Sequence, residues 1–398
     1  MRVRWVALWI LACLTMPVVF AAAGERDISL LLTPKLLRRL QRDRTRETVR
    51  WRNFEQRVQG VPESPERGFE LALYYAVTRD EAKGREAVAW ALQHKTDARQ
   101  VALVLDWCAD LIGPAEMEQL KSVSLAGDTA GALRDRLFLA IAADQFSKAQ
   151  FDSANRKLLN NLRNAGEANA GPTLYAAIEY LMAYRAATRT DLRESDAQYF
   201  ARLPKLFLLR MKPQQVEKPD WMLHAAALAL VTLDPNLENS QFLQGWAMEG
   251  RQMLRDGPGV AYELVWGDPY LPGVAYQNMD PWIYDPTGLL FARTGWEENA
   301  CWVAIRSTGM EQQNCEETKF ARPGQFGTLT LLRMDHACAE VPEHKNRESV
   351  MFWKLKPGAQ LTYEYNDEHT EPRADAAGLW LVPNSPSGKV CVTGGEKR

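Results

Sequence analysis

The chain has 398 residues, of which 46% are hydrophobic and 25% are charged. This is the composition of a folded globular protein and excludes a disordered chain. The formal net charge is −2, with 48 basic and 50 acidic side chains. A general nucleic-acid binder needs a basic excess, so the charge balance argues against that class. The length predicts two to three domains, or one helical array with a smaller partner.

Residues 1–23 are typical of a secretory signal. Arg2 and Arg4 precede the uncharged stretch 5–20, and three alanines at 21–23 are small residues of the kind found at cleavage sites. An uncleaved membrane anchor is the alternative, because residues 5–23 approach the roughly 20 residues that cross a bilayer. We expect cleavage, a periplasmic or secreted protein, and no membrane span after cleavage.

Residues 24–255 carry a helical pattern, with apolar side chains recurring at i, i+3 and i+4. Asp128 and Thr129 are candidate N-caps for one of these helices. Helices are expected near residues 31–40, 69–77, 100–112, 132–146, 173–188, 196–211, 220–230 and 238–254. Similar sequences at 75–80 and 184–191 form a weak internal repeat, which a stack of helical hairpins explains.

The pattern changes near residue 255. Residues 256–284 are rich in proline, glycine and aromatic side chains, which predicts an ordered crossing loop. Residues 285–398 contain short apolar runs bounded by turn residues, which predicts an antiparallel β domain. Strands are expected at 289–293, 300–307, 326–334, 349–355, 360–365 and 379–383. The fold class is therefore α+β.

The cysteines and histidines predict no metal or other cofactor. Five cysteines follow residue 23, four of them after residue 300, so one or two disulfides are permitted there. There is no CxxC pair, and no two of the five histidines have the i, i+4 spacing of a zinc-binding helix. The sequence also lacks a GxSxG motif, a P-loop and a GxGxxG motif. These absences argue against a serine hydrolase and against a nucleotide-binding enzyme.

Three segments carry a family resemblance: VLDWCAD at 104–110, DPTGLLFARTGW at 285–296 and ACWVAIR at 300–306. The first is similar to a helix, and the second to the entry into the first strands, of the heparinase II/III and alginate-lyase group of polysaccharide lyases. The third segment continues the second match. The resemblance covers roughly residues 30–335. It implies an (α/α) toroid of helical hairpins at 24–255, followed by a short antiparallel β-sandwich-like domain at 285–398.

The resemblance implies β-elimination of a uronate-containing polysaccharide. This chemistry removes the C5 proton and expels the 4-linked oxygen, so it needs an acid and base and a group that neutralises the carboxylate. Tyr175, which follows the small-residue turn AGP at 170–172, is the candidate acid and base. Asn161 is the candidate neutralising group, and His224 is a third catalytic candidate. Each of the three also has a purely structural explanation: Tyr175 as a buried helix tyrosine, Asn161 as a helix cap and His224 as a core histidine.

Substrate-binding candidates come from the same helices. Asn160 and Arg163 lie beside Asn161 and are suited to an anionic sugar, although a lone arginine is more often on a solvated face. Trp221 is a candidate stacking platform, with Trp246, Trp266 and Trp282 as further tryptophans that packing also explains. The expected partner is an acidic polysaccharide.

One segment departs from the family. The family often carries an HxHxDxGxF-like motif, and the best register here, TKFARPGQF at 318–326, keeps the glycine and phenylalanine but neither histidine nor the acidic residue. A second hypothesis is therefore a catalytically inactive carbohydrate-binding or cell-envelope assembly protein that keeps the fold. The β domain is short, so completion by a second copy or by a partner chain stays open.

Overall fold

The computed structural model describes most of residues 29–315 and eight strand segments beyond them. The described ranges are 29–60, 63–123, 125–164, 170–217, 219–249, 257–285, 289–306 and 309–315, then 324–326, 329–333, 338–341, 348–352, 360–365, 373–374, 379–382 and 388–393. The predicted signal at 1–23 and most of the segment 318–326 lie outside these ranges.

The first part of the described chain is helical. Its fourteen α-helices are α1 Pro34–Thr45, α2 Val49–Gly60, α3 Arg67–Thr78, α4 Glu81–Gln93, α5 Ala98–Trp107, α6 Pro114–Lys121, α7 Ala130–Ala142, α8 Asp152–Asn164, α9 Ala170–Thr188, α10 Ala197–Arg210, α11 Pro213–Glu217, α12 Trp221–Leu233, α13 Glu238–Glu249 and α14 Gly259–Trp266. No helix within the described ranges combines the length and hydrophobicity that crossing a membrane requires.

Side-chain caps explain where several helices begin. Asp97 accepts a hydrogen bond from the backbone N–H of Gln100 and caps α5. Thr129, one of the two predicted candidates, caps α7 by accepting from the N–H of Ala132. Such caps satisfy part of the four unpaired N–H groups at a helix N-terminus. Local capping residues therefore determine where these helices begin.

Six helices contact one another in chain order and form the core. They are α3, α5, α7, α9, α12 and α14, and each contacts the next. The rings of Phe69 in α3 and Tyr262 in α14 lie 5.1 Å apart, so the first and last members also meet. Other helices pack beside this series: α4 contacts α3 and α5, and α8 contacts α7 and α9.

The stretch predicted as a crossing loop contains a helix. All eight residues of α14 are buried, because the run after Pro258 is almost entirely apolar and lies among the core helices. The loop that follows is held by two arginines from the start of the chain. Arg39 forms an ion pair with Asp268 at 3.0 Å, and Arg50 donates to the carbonyl oxygen of Gly267 at 2.7 Å.

The second part of the described chain forms three sheets. The twelve strands are β1 Trp282–Asp285, β2 Leu289–Arg293, β3 Trp302–Arg306, β4 Gly309–Gln313, β5 Gly324–Phe326, β6 Leu329–Arg333, β7 Cys338–Val341, β8 Glu348–Phe352, β9 Gln360–Tyr365, β10 Arg373–Ala374, β11 Leu379–Val382 and β12 Gly388–Thr393. The sheet orders are β1-β2-β3-β4, β10-β11-β8-β6-β5 and β7-β12-β9.

The first sheet is antiparallel and packs on the helical part. Leu290 pairs with Ile305, and Trp302 pairs with Gln313. The indole N–H of Trp302 donates to the carbonyl oxygen of Leu209 in α10 at 2.8 Å. This buried bond connects the sheet to the helices.

One strand pair departs from the predicted antiparallel order. The strands β6 and β8 are parallel, with Leu331 opposite Val350. The strand between them in sequence, β7, belongs to the third sheet. The chain therefore leaves the second sheet and returns to it in the same direction, which a hairpin does not allow.

Candidate functional site

Five helix N-termini border one cavity of about 360 Å³. We call it the N-end cavity. Its lining includes Glu66, which precedes α3, the α5 cap Asp97 and the α7 cap Thr129, together with Pro172 of α9 and Met222 of α12. Because each N-terminus presents unpaired N–H groups and a partial positive charge, the cavity is suited to polar and anionic groups.

A buried ionic network lies beside the cavity. Glu179 of α9 is fully buried and accepts two parallel hydrogen bonds from Arg99, from Nε at 2.9 Å and from Nη2 at 2.8 Å. Arg134 of α7 also donates to Oε2 of this carboxylate at 3.0 Å, and Arg99 also donates to Glu66 at 2.8 Å. Four helical segments are thus joined through two guanidinium groups.

The network stays charged despite its burial. Burial alone would raise the pKa of Glu179, but the adjacent Arg99 and Arg134 outweigh it and lower that pKa below its ordinary value. Burial would lower the pKa of Arg99, and the carboxylate of Glu179 instead raises it. Glu66 differs, because its burial outweighs Arg99 and raises its pKa. Each direction follows from whether ionic partners compensate for lost hydration.

Tyr175 has every hydrogen-bonding position of its hydroxyl occupied. The hydroxyl donates to Oε1 of Glu179 at 2.7 Å and accepts from Nη2 of Arg99 at 3.2 Å and from the indole N–H of Trp266 at 2.9 Å. A tyrosine hydroxyl has one donor and two acceptor positions. Burial, followed by the Glu179 carboxylate, raises the pKa of Tyr175 well above its ordinary value. The hydroxyl is therefore a fixed, neutral group.

Aromatic rings enclose the central guanidinium. The Arg99 guanidinium carbon lies 5.0 Å from the ring centre of Phe69, 5.3 Å from that of Tyr262 and 5.6 Å from that of Tyr175. Contacts of this kind stabilise a cation that has lost its water. Tyr262 and Tyr175 also line the N-end cavity, so the same rings form part of its wall.

The α8 candidates lie on an exposed surface. Asn160 is exposed, and Asn161 donates to the backbone oxygen of Asp128 at 2.6 Å. Arg163 is paired with Asp196, at 2.9 Å from its Nε. None of these three side chains is among the described residues that line the N-end cavity. The contacts of Asn161 and Arg163 are therefore structural, and none of the three residues shares the cavity lining with Tyr175.

His224 and Trp221 lie in α12, on either side in sequence of the cavity-lining residue Met222. His224 is buried, and its Nε2 lies 3.0 Å from the carbonyl oxygen of Ala247, so Nε2 carries the proton. Burial lowers the pKa of His224 to about 4. Trp221 packs against Tyr262 with ring centres 5.3 Å apart. Of the six residues selected from the sequence, only Tyr175 lines the cavity.

Sequence reasoning missed Arg99, Arg134, Glu179, Glu66 and Tyr262. One signal was present, because Glu179 is the only charged residue in the apolar run 173–184. A charged side chain in such a run is buried only with a partner. The partner lies 80 positions away in sequence, and no helical spacing predicts that contact.

The described residues include no group of three or more histidine, cysteine or acidic side chains arranged to hold a metal ion.

In comparisons with known proteins, no family model matches the chain, and no curated protein matches it. The residues and their geometry therefore carry the functional argument.

Proposed function

We propose that the chain is a non-catalytic saccharide-binding protein of the cell envelope, which holds an acidic sugar unit of a polysaccharide in the N-end cavity. We prefer binding to β-elimination because the hydroxyl of Tyr175 already makes one donated and two accepted hydrogen bonds within the protein. A general base needs a free lone pair directed at the substrate, and a general acid needs a proton to give. The hydroxyl of Tyr175 has neither to spare.

The size and lining of the N-end cavity support a sugar ligand. About 360 Å³ is within the lower part of the range for small-molecule sites. The lining mixes hydroxyl groups, charged groups and aromatic rings. Thr173 has no side-chain hydrogen-bond partner among the described residues, so its hydroxyl is available to a ligand. Tyr175 and Tyr262 supply apolar surface for a sugar ring.

An acidic sugar is favoured by the helix ends. In the first turn of α7, Thr129 takes the N–H of Ala132, whereas the N–H groups of Ala130 and Gly131 have no partner within the helix and are donors suited to a carboxylate, as at other helix N-termini that bind anions. Arg134 adds a guanidinium to the lining, although its Nη1 is already bonded to Glu179. The ligand carboxylate is thus held mainly by backbone N–H groups.

For the helical part we propose an (α/α) toroid. Its inner helices would be α3, α5, α7, α9, α12 and α14, and the Phe69–Tyr262 contact between the first and last of them supports closure of the ring. In such an arrangement the inner helices run in one direction. That direction explains why five N-termini border the same cavity.

Cysteine placement supports the proposed periplasmic or secreted location. Cys301 and Cys315 form a disulfide across the open end of the β3–β4 hairpin. The backbone register also places Cys338 directly opposite Cys391 on β7 and β12. Disulfides persist in oxidising compartments, in line with the signal-like residues 1–23.

Filling the N-end cavity tests this proposal. Gly131 lines the cavity, and an added Cβ would meet no atom closer than 3.9 Å. We expect Gly131→Trp to weaken binding of an acidic oligosaccharide, measured by calorimetric titration, by about tenfold or more, because the indole would occupy the ligand space. The matched control Gly131→Ala should bind within about twofold of the parent, since a methyl group fills little of the cavity. Equal affinity of the tryptophan variant and the parent would refute the site.

A further inference from the structure

A second cavity lies at the other end of α12. Its volume is about 300 Å³. We call it the C-end cavity, because Leu230, Leu233 and Asp234 at the C-terminal end of α12 line it. The N-end cavity is bordered by Met222 of the same helix. Met222 and Leu233 are eleven positions apart in the same helix, about 17 Å along the axis, so the two cavities are distinct.

The walls of the C-end cavity are apolar. They comprise alanine, leucine, proline and phenylalanine side chains from α10, the end of α12 and the turn before α13, namely Ala197, Phe200, Ala201, Pro204, Leu230, Leu233 and Leu237. Phe200 and Leu230 are almost fully buried. Such walls favour a ligand with a hydrocarbon or aromatic body.

The charged groups of this cavity are mainly acidic. The one arginine in the lining, Arg193, is fully engaged: it donates to Asp191 from Nε and Nη2 and to the carbonyl oxygen of Leu233 from Nη1. The carboxylates of Glu194 and Asp234 form no ion pair or hydrogen bond with another described side chain. Two carboxylates therefore stand without a cation of their own.

Two further features point to a bound donor. The last carbonyl groups of α12 give this end a partial negative charge, opposite to that of the N-end cavity. Ser240 of α13 is 1% exposed and lines the cavity, and its hydroxyl has no hydrogen-bond partner among the described residues. Because this hydroxyl lines the cavity, it can exchange a hydrogen bond with a donor or acceptor of an incoming ligand.

We infer that the C-end cavity binds a small organic ammonium compound: the apolar body packs against the Phe200 and Leu230 walls, and the ammonium group lies between Asp234, Glu194 and Ser240. Both requirements come from the lining, since apolar walls select the body and unpaired carboxylates select the charge. The site is independent of saccharide binding at the N-end cavity, so either proposal stands if the other fails.

Three probes of equal length test the inference. Mature protein is titrated calorimetrically with hexylamine, hexanol and hexanoate. Hexylamine should bind about tenfold or more tightly than hexanol, and hexanoate should not bind, because the carboxylates attract only the cation. Equal binding of hexylamine and hexanol would remove the charge argument. No detectable binding of hexylamine at millimolar concentration would overturn the site.

Variants assign the charge selection to named groups. Asp234→Asn and Glu194→Gln should each weaken hexylamine binding by about threefold to tenfold and leave hexanol binding unchanged, because each removes one carboxylate from a partly solvated site. Glu238→Gln is the matched control, since Glu238 is an exposed carboxylate of α13 outside the lining. Unchanged hexylamine affinity in both lining variants, or equal loss in Glu238→Gln, would contradict the assignment.

Discussion

Glu179→Gln is expected to lower the free energy of unfolding by about 3–5 kcal/mol, because removing one partner of a buried ionic network leaves uncompensated buried charge. Glu179 is 0% exposed and is the shared acceptor of Arg99 and Arg134. Glutamine keeps the shape of the side chain but cannot neutralise the two guanidinium groups. Denaturant unfolding followed by circular dichroism measures the difference.

The matched control is an ion pair at the surface. Arg163 is paired with Asp196, and its side chain is 48% exposed. Arg163→Ala should cost less than about 1 kcal/mol, because water already solvates both charges. If Glu179→Gln were no more destabilising than Arg163→Ala, the network would not be the buried connection between helices that the structure describes.

Acidification is expected to destabilise the protein through His224. The folded pKa is lowered by burial to about 4, whereas the unfolded value is near 6.5. As the pH falls below about 6.5 the unfolded chain takes up the proton first, so stability is present above that pH and is lost progressively down to about pH 4. The loss from this group is about 3 kcal/mol, since each pKa unit corresponds to about 1.4 kcal/mol.

A variant comparison isolates this contribution. His224→Gln keeps an N–H donor for the carbonyl oxygen of Ala247 but does not titrate, so its stability should depend less on pH between about 6.5 and 4. Buried carboxyl groups such as Glu66, whose burial raises its pKa, titrate in both proteins and cancel in the difference. Replacing the exposed His94 in the same way provides the control. Parallel pH curves for the parent and His224→Gln would contradict a buried, neutral His224.

The sequence predicts some elements with close agreement in their bounds and does not predict others. The predicted strands at 289–293 and 360–365 coincide with β2 and β9, and the helix expected at 196–211 is α10. It does not predict α8, although Ala154, Leu158 and Leu162 recur at i, i+4 along this otherwise polar helix and the two leucines are buried. Nor does it predict α14 within a stretch rich in proline and glycine. For α14, whose eight residues are all buried, tertiary packing is decisive.

The candidate site was less accessible to sequence reasoning. The small-residue turn before Tyr175 predicts it as a site residue, and Tyr175 lines the N-end cavity. The groups that fix its hydroxyl are Glu179, one turn away, and Arg99 and Trp266, which are distant in sequence. The sequence alone does not show whether the hydroxyl of Tyr175 is free or fully hydrogen-bonded, because these contacts come from the folded structure. That difference decides between elimination and binding.

An elimination assay tests the central proposal most directly. Mature protein is incubated with alginate, heparin, hyaluronan and other uronate polymers, and the ultraviolet absorbance of the unsaturated uronate product is followed while binding is measured by titration. We predict no absorbance increase over protein-free controls, together with binding of at least one polymer that Gly131→Trp weakens. An absorbance increase that Tyr175→Phe abolishes would contradict the proposal, because it would show that Tyr175 transfers a proton.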